Sequence, residues 1–355
     1  MSIFRDFFVK EKPVFTGIAR GVGGFGFGAS SGAAGPSGIS ATGGTTITDG
    51  GYTYHVYTVD TPAPESNLNV TSGSGTIELL VVGGGGGASF DNSGGGGAGG
   101  IAYASALPVS AATYTVSVGP GGQGSNTYGY PGHPSGNPTR GTNSTFVHPV
   151  GTITGLGGAG PANEDPSYSV DTPVPSNVYP GGSGSGGKYT APAVPPPNSI
   201  AAVPAAQPSE PTFGGLVTHY GNPGGNAPGG ADFTGGGGGG AGGAGSNGSP
   251  GPNAGGPGQP FTGFPAPVLE PAIPAPERPN WTPAVGPTGL FGGGGGGCSE
   301  SSPYNGTGGP GGGGPGGNTD PTGEPGKYGT GGGGGGSGGD GNNGGSGIVI
   351  LRYLA

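Results

Sequence analysis

The side chains of this sequence that could do chemistry are few and scattered. None of the histidines stands in an H-E-x-x-H or other paired spacing that would hold a metal ion. They are His55, His133, His148 and His219. The acidic pair Glu164–Asp165 lies in a proline-flanked stretch. A general acid would need a buried carboxyl group, and this stretch does not predict one. We therefore expect no catalytic residue, no cofactor and no enzymatic activity.

Other ligand-binding signals are equally weak. G-x-G-x-x-G matches occur throughout a chain in which 98 of 355 residues are glycine, so they do not indicate a nucleotide site. Asp340-Gly-Asn-Asn343 offers oxygen atoms for calcium without the regular spacing of a calcium loop, and we predict no metal site. Cys298 is the single cysteine, which excludes an intrachain disulfide and favours assembly in a reducing cytoplasm.

Glycine runs framed by strands are the main structural signal. β-branched and aromatic residues at 75–82, 114–118 and 348–353 each adjoin glycine-rich sequence, as strands bounded by glycine do. Uninterrupted runs occur at 83–87, 94–97, 235–240, 292–297 and 331–336. The sequence thus predicts strands alternating with glycine-rich excursions.

The composition leaves three states open for the glycine runs. With 29% hydrophobic residues and 41 prolines, disorder is the plainest interpretation, but the apolar strands argue against it. Collagen needs glycine at every third position, and runs of consecutive glycine break that register. Polyglycine II helices fit better, because chains without Cβ atoms can pack side by side and pair their backbone groups laterally.

Charge and hydropathy exclude two classes of partner. Nine basic residues against eighteen acidic ones give a net charge of −9 without a basic cluster, so no nucleic acid is expected to bind. No apolar stretch approaches the length of a membrane span, and the charged residues near the start exclude a secretory signal there.

The strand-plus-glycine pairs from about residue 43 to 353 resemble the glycine-rich domain of bacteriophage tail-fibre and other virion proteins. Phe291-(Gly)6-Cys298 is also similar to the glycine-rich extracellular domain of the anaplastic lymphoma kinase receptor family. The resemblance implies an all-β fold: an antiparallel, jelly-roll-like β-sandwich that carries a bundle of polyglycine II helices and almost no α-helix.

We expect two parts in the chain, an N-terminal anchoring arm with a glycine-rich connector over 1–38 and the glycine-rich domain over 39–355. Proline-rich insertions at about 161–212 and 257–291 depart from the family pattern and predict stiff surface loops, which are either linkers or contact loops. As contact loops they would present aromatic side chains to a receptor. The candidates for receptor contact are Trp281, Phe264, Phe261 and Tyr304.

The first fifteen residues are apolar and too short to be stable alone. They dock either on the sandwich itself or, as we prefer, on another virion protein. The anchoring candidates are Phe4, Phe7 and Phe8.

Together these features favour a bacteriophage virion structural protein, a tail-fibre or spike component, assembled in the host cytoplasm. We expect it to display loops to a glycan or protein on the host surface, and to form a homo-oligomer, with a trimer as our guess. A capsid-decorating or head-fibre protein without a receptor is one alternative. An extracellular protein–protein interaction module is the other.

Overall fold

Antiparallel strands and glycine tracts make up most of the described part of the chain. The computed structural model describes residues 38–61, 66–89, 93–125, 139–160, 181–187, 205, 208, 210–227, 234–248, 253–299, 305–318 and 323–355. Its strands are β1 (Ser40–Thr42), β2 (Thr45–Asp49), β3 (Tyr52–Tyr57), β4 (Asn67–Val82), β5 (Ile101–Ser117), β6 (Ser144–His148), β7 (Gly151–Gly155), β8 (Val217–Tyr220), β9 (Gln259–Pro260), β10 (Leu290–Phe291) and β11 (Ile348–Leu354).

Helical structure in these ranges is short. It consists of the α-helices α1 (Ala266–Leu269) and α2 (Arg278–Val285) and the 3-10 helices Pro211–Phe213 and Glu270–Ala272. The prediction of an all-β, antiparallel fold with almost no α-helix is confirmed.

One antiparallel sheet contains most of the described strands. Its hydrogen-bonded order is β2-β3-β11-β4-β5-β6-β7, while β1 pairs with β4 and β8 pairs with β5. The long strands β4 and β5 form its spine, with Asn67 opposite Thr115 and Val82 opposite Ile101. Register shifts between Val70 and Ser74 interrupt this ladder near its middle, as β-bulges do where a strand bends.

The sheet folds over on itself at this bend. Its first half contains β2, β3, β11, β8 and the adjoining parts of β4 and β5, and its second half contains β1, β6, β7 and the remaining parts. Leu68 at one end of β4 and Val81 at the other belong to the same buried cluster. That cluster, which also holds Tyr114 and Phe146, is therefore the core between the two halves.

The first half also buries its outer face. Alternate residues of β4 point to opposite sides because side chains along a strand alternate. Val81 enters the core between the halves, whereas Leu80 and Val82 enter a second cluster. That second cluster is closed by Phe264 and Trp281 from the segment that contains α1 and α2.

The sequence prediction for residues 257–291 is wrong. The prolines were expected to make an exposed, extended loop, but the segment folds into short helices against the sheet. Proline stands in the first turn of α2, where its missing N–H costs no hydrogen bond. Gly286 ends α2 with φ 60°, a conformation that glycine adopts without strain.

Candidate functional site

The glycine tract 93–100 donates its backbone N–H groups to three neighbouring tracts in turn. Residues three apart in this tract reach residues three apart in the same neighbour, so the direction of donation repeats every third residue. The donor–acceptor pairs are Gly95–Gly236 and Ala98–Gly239 with the tract 234–241, Gly96–Gly334 and Gly99–Gly331 with 331–337, and Gly97–Ala159 and Gly100–Leu156 with 156–160, at 2.7–3.0 Å.

The carbonyl groups of the same tract accept from three further tracts. These acceptors also recur every third residue, which gives the 93–100 tract three neighbours on its donor side and three on its acceptor side. The acceptor–donor pairs are Gly95–Gly186 and Ala98–Ser183 with the tract 181–187, Ser93–Cys298 and Gly96–Gly295 with 292–298, and Gly97–Gly86 and Gly100–Gly83 with 83–89, at 2.8–3.0 Å.

Glycine is required where these backbones approach each other. A Cβ built on Gly96 would stand 2.2 Å from the carbonyl oxygen of Gly86, and one on Gly95 would stand 2.1 Å from that of Gly295. Both distances are far below van der Waals contact, and the opposing atoms belong to the backbone and cannot turn away. These laterally bonded tracts, together called the glycine array, therefore depend on glycine for close approach and on lateral hydrogen bonds for their cohesion.

Two of the tracts extend from the same end of the sheet and run antiparallel to each other. β4 runs directly into the tract 83–89, and the tract 93–100 leads back into β5. Away from the sheet, Cys298 donates to the carbonyl of Ser93 over 2.9 Å and accepts from the N–H of Gly235 over 2.9 Å. Three sequences that begin or end beside these residues lie outside the described part of the chain. They are 90–92, 228–233 and 300–304.

An ion pair joins two neighbouring strands of the sheet beneath the helical segment. Nε of Arg352 on β11 donates to Glu78 on β4 over 2.5 Å, and the second oxygen of that carboxylate accepts from the hydroxyl of Tyr103 over 2.7 Å. The Arg352 guanidinium lies 4.4 Å from the ring centroid of Tyr52. Gly263 packs on the pair so closely that a Cβ there would stand 2.6 Å from an Arg352 nitrogen. Burial raises the pKa of the Tyr103 phenol, and its bond to Glu78 raises it further.

His55 is a buried strand residue with both ring nitrogens engaged. Its Nδ1 lies 2.6 Å from the carbonyl oxygen of Gly43, so this nitrogen carries the proton, and Nε2 accepts from the hydroxyl of Tyr353 over 3.2 Å. Burial lowers the pKa of His55. These two bonds tie β3 to the turn before β2 and to Tyr353 of β11.

The remaining histidines of the described ranges also have structural partners. Nε2 of His148 lies 3.0 Å from the carbonyl oxygen of Pro108. Nε2 of His219 lies 3.4 Å from a carboxylate oxygen of Glu210, whose other oxygen accepts from the N–H of Thr154 over 2.7 Å. Among the described residues, no group of three or more His, Cys, Asp or Glu side chains could hold a metal ion.

Three of the predicted receptor-contact residues lie in the core. Trp281 and Phe264 are fully buried and Phe261 is 6% exposed, so the prediction that they present aromatic surface is wrong. The indole N–H of Trp281 donates to the carbonyl oxygen of Gly329 over 3.2 Å, which satisfies its polar atom inside the cluster. Their burial follows from the apolar outer face of the first half of the sheet, which needs a cover.

The other predicted site residues lie outside the described part of the chain. These are the receptor-contact candidate Tyr304 and the anchoring candidates Phe4, Phe7 and Phe8. Sequence reasoning missed the Arg352–Glu78 ion pair, whose partners are far apart in the chain. The single charged residue in the otherwise apolar run Ile77-Glu-Leu-Leu-Val-Val82 is the signal that could have found it.

The helices of the described residues are too short to cross a membrane. The chain matches no curated protein. A family defined by a glycine-rich domain matches residues 60–354, which include the sheet from β4 to β11 and the glycine tracts between its strands. Because this match covers most of the sequence, the chain belongs to the glycine-rich domain family.

Proposed function

We propose that the glycine tracts are polyglycine II helices. Such a helix has three residues per turn, so its N–H groups point in three directions that repeat every third residue. The donors of the tract 93–100 follow this period, and so do its acceptors. The tract 83–89 behaves alike: the donors Gly83 and Gly86 reach the tract 93–100, while Gly85 and Ala88 reach the tract 341–347.

We propose further that the protein is a bacteriophage virion structural protein, a tail-fibre or spike component that displays loops to the host surface. The observation that carries this proposal is the polarity of the described domain. Strand ends such as Val82 and Ser117 face the glycine tracts, and Gly119, just after β5, accepts from the N–H of Gly347 over 2.9 Å. At the opposite pole, Ser40 of β1 pairs with Ser72 in the bend of β4.

This polarity gives the domain two ends with different roles. Residue 38 precedes β1, which pairs with the bend of β4, and we propose that residues 1–38 act as the anchor. The glycine array extends from the other end and makes a stiff platform, since every tract is tied laterally through its backbone. Side chains in the sequences that join the tracts, including Tyr304, are then the contact groups, because a rigid scaffold with variable loops suits recognition.

Immunogold electron microscopy tests the proposal. Antibodies raised against the purified domain are applied to particles of the phage whose genome encodes the chain. Label at the tail or its fibres is the expected result, and the mass of the purified chain in solution tests the guessed trimer. Label on the head would replace the proposal with capsid decoration. The absence of any labelled particle would favour the extracellular interaction module.

A further inference from the structure

The two halves of the folded sheet present different outer faces. That of the first half is apolar and is covered by the segment with α1 and α2. That of the second half is polar, because the inward positions Tyr114, Val116 and Phe146 are buried and the alternate positions point away from the core. These outward positions form what we call the hydroxyl face, which consists of Thr42, Asn67, Asn69, Thr113, Thr115, Ser117, Thr145, Val147, Thr152 and Thr154.

The strand registers arrange the hydroxyl face in rows that run across the strands. The central row spans four neighbouring strands, and a row of three lies on each side of it. Successive members of a row stand about 4.8 Å apart, the spacing of strands in a sheet. The rows are Asn67-Thr115-Val147-Thr152, Ser117-Thr145-Thr154 and Thr42-Asn69-Thr113.

This face is exposed and chemically uniform. Thr115 and Thr152 are exposed, and Val147 is 41% exposed in the middle of its row. The hydroxyl of Thr113 donates to the side-chain oxygen of Asn69 over 2.8 Å, which fixes both groups in one orientation. None of the residues of the hydroxyl face is charged, so hydroxyls, amides and methyl groups are what a partner would meet.

We propose that the hydroxyl face is a binding surface of its own, separate from the loops of the proposed attachment role, and that it binds a neutral polysaccharide. Hydroxyl and amide groups donate and accept hydrogen bonds as sugar hydroxyls do, while the methyl groups of Thr115, Val147 and Thr152 suit the apolar faces of pyranose rings. A polymer lying along a row would meet one strand for roughly each sugar unit. An uncharged face on a chain of net charge −9 disfavours anionic polymers.

The test measures binding of the full chain to immobilised dextran, mannan and β-glucan, with alginate as the anionic comparison. We expect at least one neutral polymer to bind and alginate not to bind. The double variant Thr115→Lys, Thr152→Lys should weaken binding at least about tenfold, because each ammonium must lose water to let the polymer approach. The matched control Thr46→Lys, Thr48→Lys alters exposed threonines of β2, outside the hydroxyl face, and should bind like the parent.

Three outcomes overturn the inference: no neutral polymer binds, alginate binds as well as the neutral polymers, or the two double variants weaken binding equally. Circular dichroism of each variant shows whether its fold is retained. If the lysines perturb the sheet, the isosteric double variant Thr115→Val, Thr152→Val is measured in their place. It removes two hydroxyls without adding charge and should also weaken polysaccharide binding. Particle labelling without polysaccharide binding rejects this inference alone, whereas binding by a chain that labels no particle rejects the virion role.

Discussion

Gly295 donates its backbone N–H to the carbonyl oxygen of Gly96 over 3.0 Å, although the two residues are far apart in the sequence. The pair joins two tracts that are also bonded to other tracts, so one contact forms part of a laterally continuous array. The array needs no large apolar core of its own. Its stability comes from paired backbone groups, which would be costly to bury without partners.

A methyl group at the centre of this array should be poorly tolerated. Gly96→Ala places a Cβ 2.2 Å from the carbonyl oxygen of Gly86, and separating the tracts weakens several hydrogen bonds together. We expect a loss of about 1–3 kcal/mol or more in the free energy of unfolding, measured by urea denaturation. Gly38→Ala is the control, because its Cβ would meet nothing within 4 Å. Equal stability of the two variants would contradict the close packing of the tracts.

The single tryptophan should report burial directly. Since Trp281 is fully buried, its fluorescence should be blue-shifted and should resist acrylamide quenching until the chain unfolds. Trp281→Phe keeps an aromatic side chain but removes the hydrogen-bond donor to Gly329. The lost bond should lower the free energy of unfolding by on the order of 1 kcal/mol, and the smaller ring should lower it further. Efficient quenching of the folded protein would place this side chain at the surface after all.

The ion pair between Arg352 and Glu78 should matter more than an exposed pair. Both side chains are less than one fifth exposed, and Glu78→Gln leaves the guanidinium poorly compensated. We expect a loss of about 1–3 kcal/mol in thermal or urea unfolding. Glu324→Gln, which removes the exposed partner of Lys327, should cost about 0–1 kcal/mol. The account fails at this point if the second substitution costs as much as the first.

The stability of the domain should depend on pH through His55. Burial lowers its pKa in the folded chain, so the unfolded chain binds the proton first as pH falls below about 6.5. The contribution of His55 to the free energy of unfolding is therefore fully present above that pH and declines as the pH falls. Urea unfolding at pH 7.5 and 5.5 should show a smaller pH effect in His55→Gln than in the parent, and identical slopes would refute this role.

The sequence predicts where the strands lie better than it predicts which glycine tracts are neighbours. The β-branched residues at 75–82 and 348–353 and their glycine boundaries locate the second half of β4 and nearly all of β11, because strand propensity and turn residues are local properties. The partners of Gly96 are not local, and one glycine run is chemically equivalent to another, so no pattern states which tracts adjoin. For the tracts that adjoin β4, β5 and β11, the registers of these strands determine which tract ends start side by side.

The segment around Trp281 shows a different limit. Proline early in α2 and glycine at its end are recognised helix signals, yet the density of proline favoured a loop. Aromatic residues in such a loop serve equally well as contact groups or as core. The choice depended on whether the first half of the sheet had another cover for Leu80, Val82 and Ile350, which the sequence does not reveal.

Hydrogen–deuterium exchange of the tracts 93–100 and 292–298 tests the central claim most directly. The account predicts that these peptides, although rich in glycine, exchange as slowly as the sheet peptide 77–82, because their amides are bonded inside the array. Gly96→Ala should speed exchange in both tracts together. Exchange of the tracts at the rate of an unstructured chain, beside a protected sheet, would contradict the array and with it the rigid platform on which the proposed function depends.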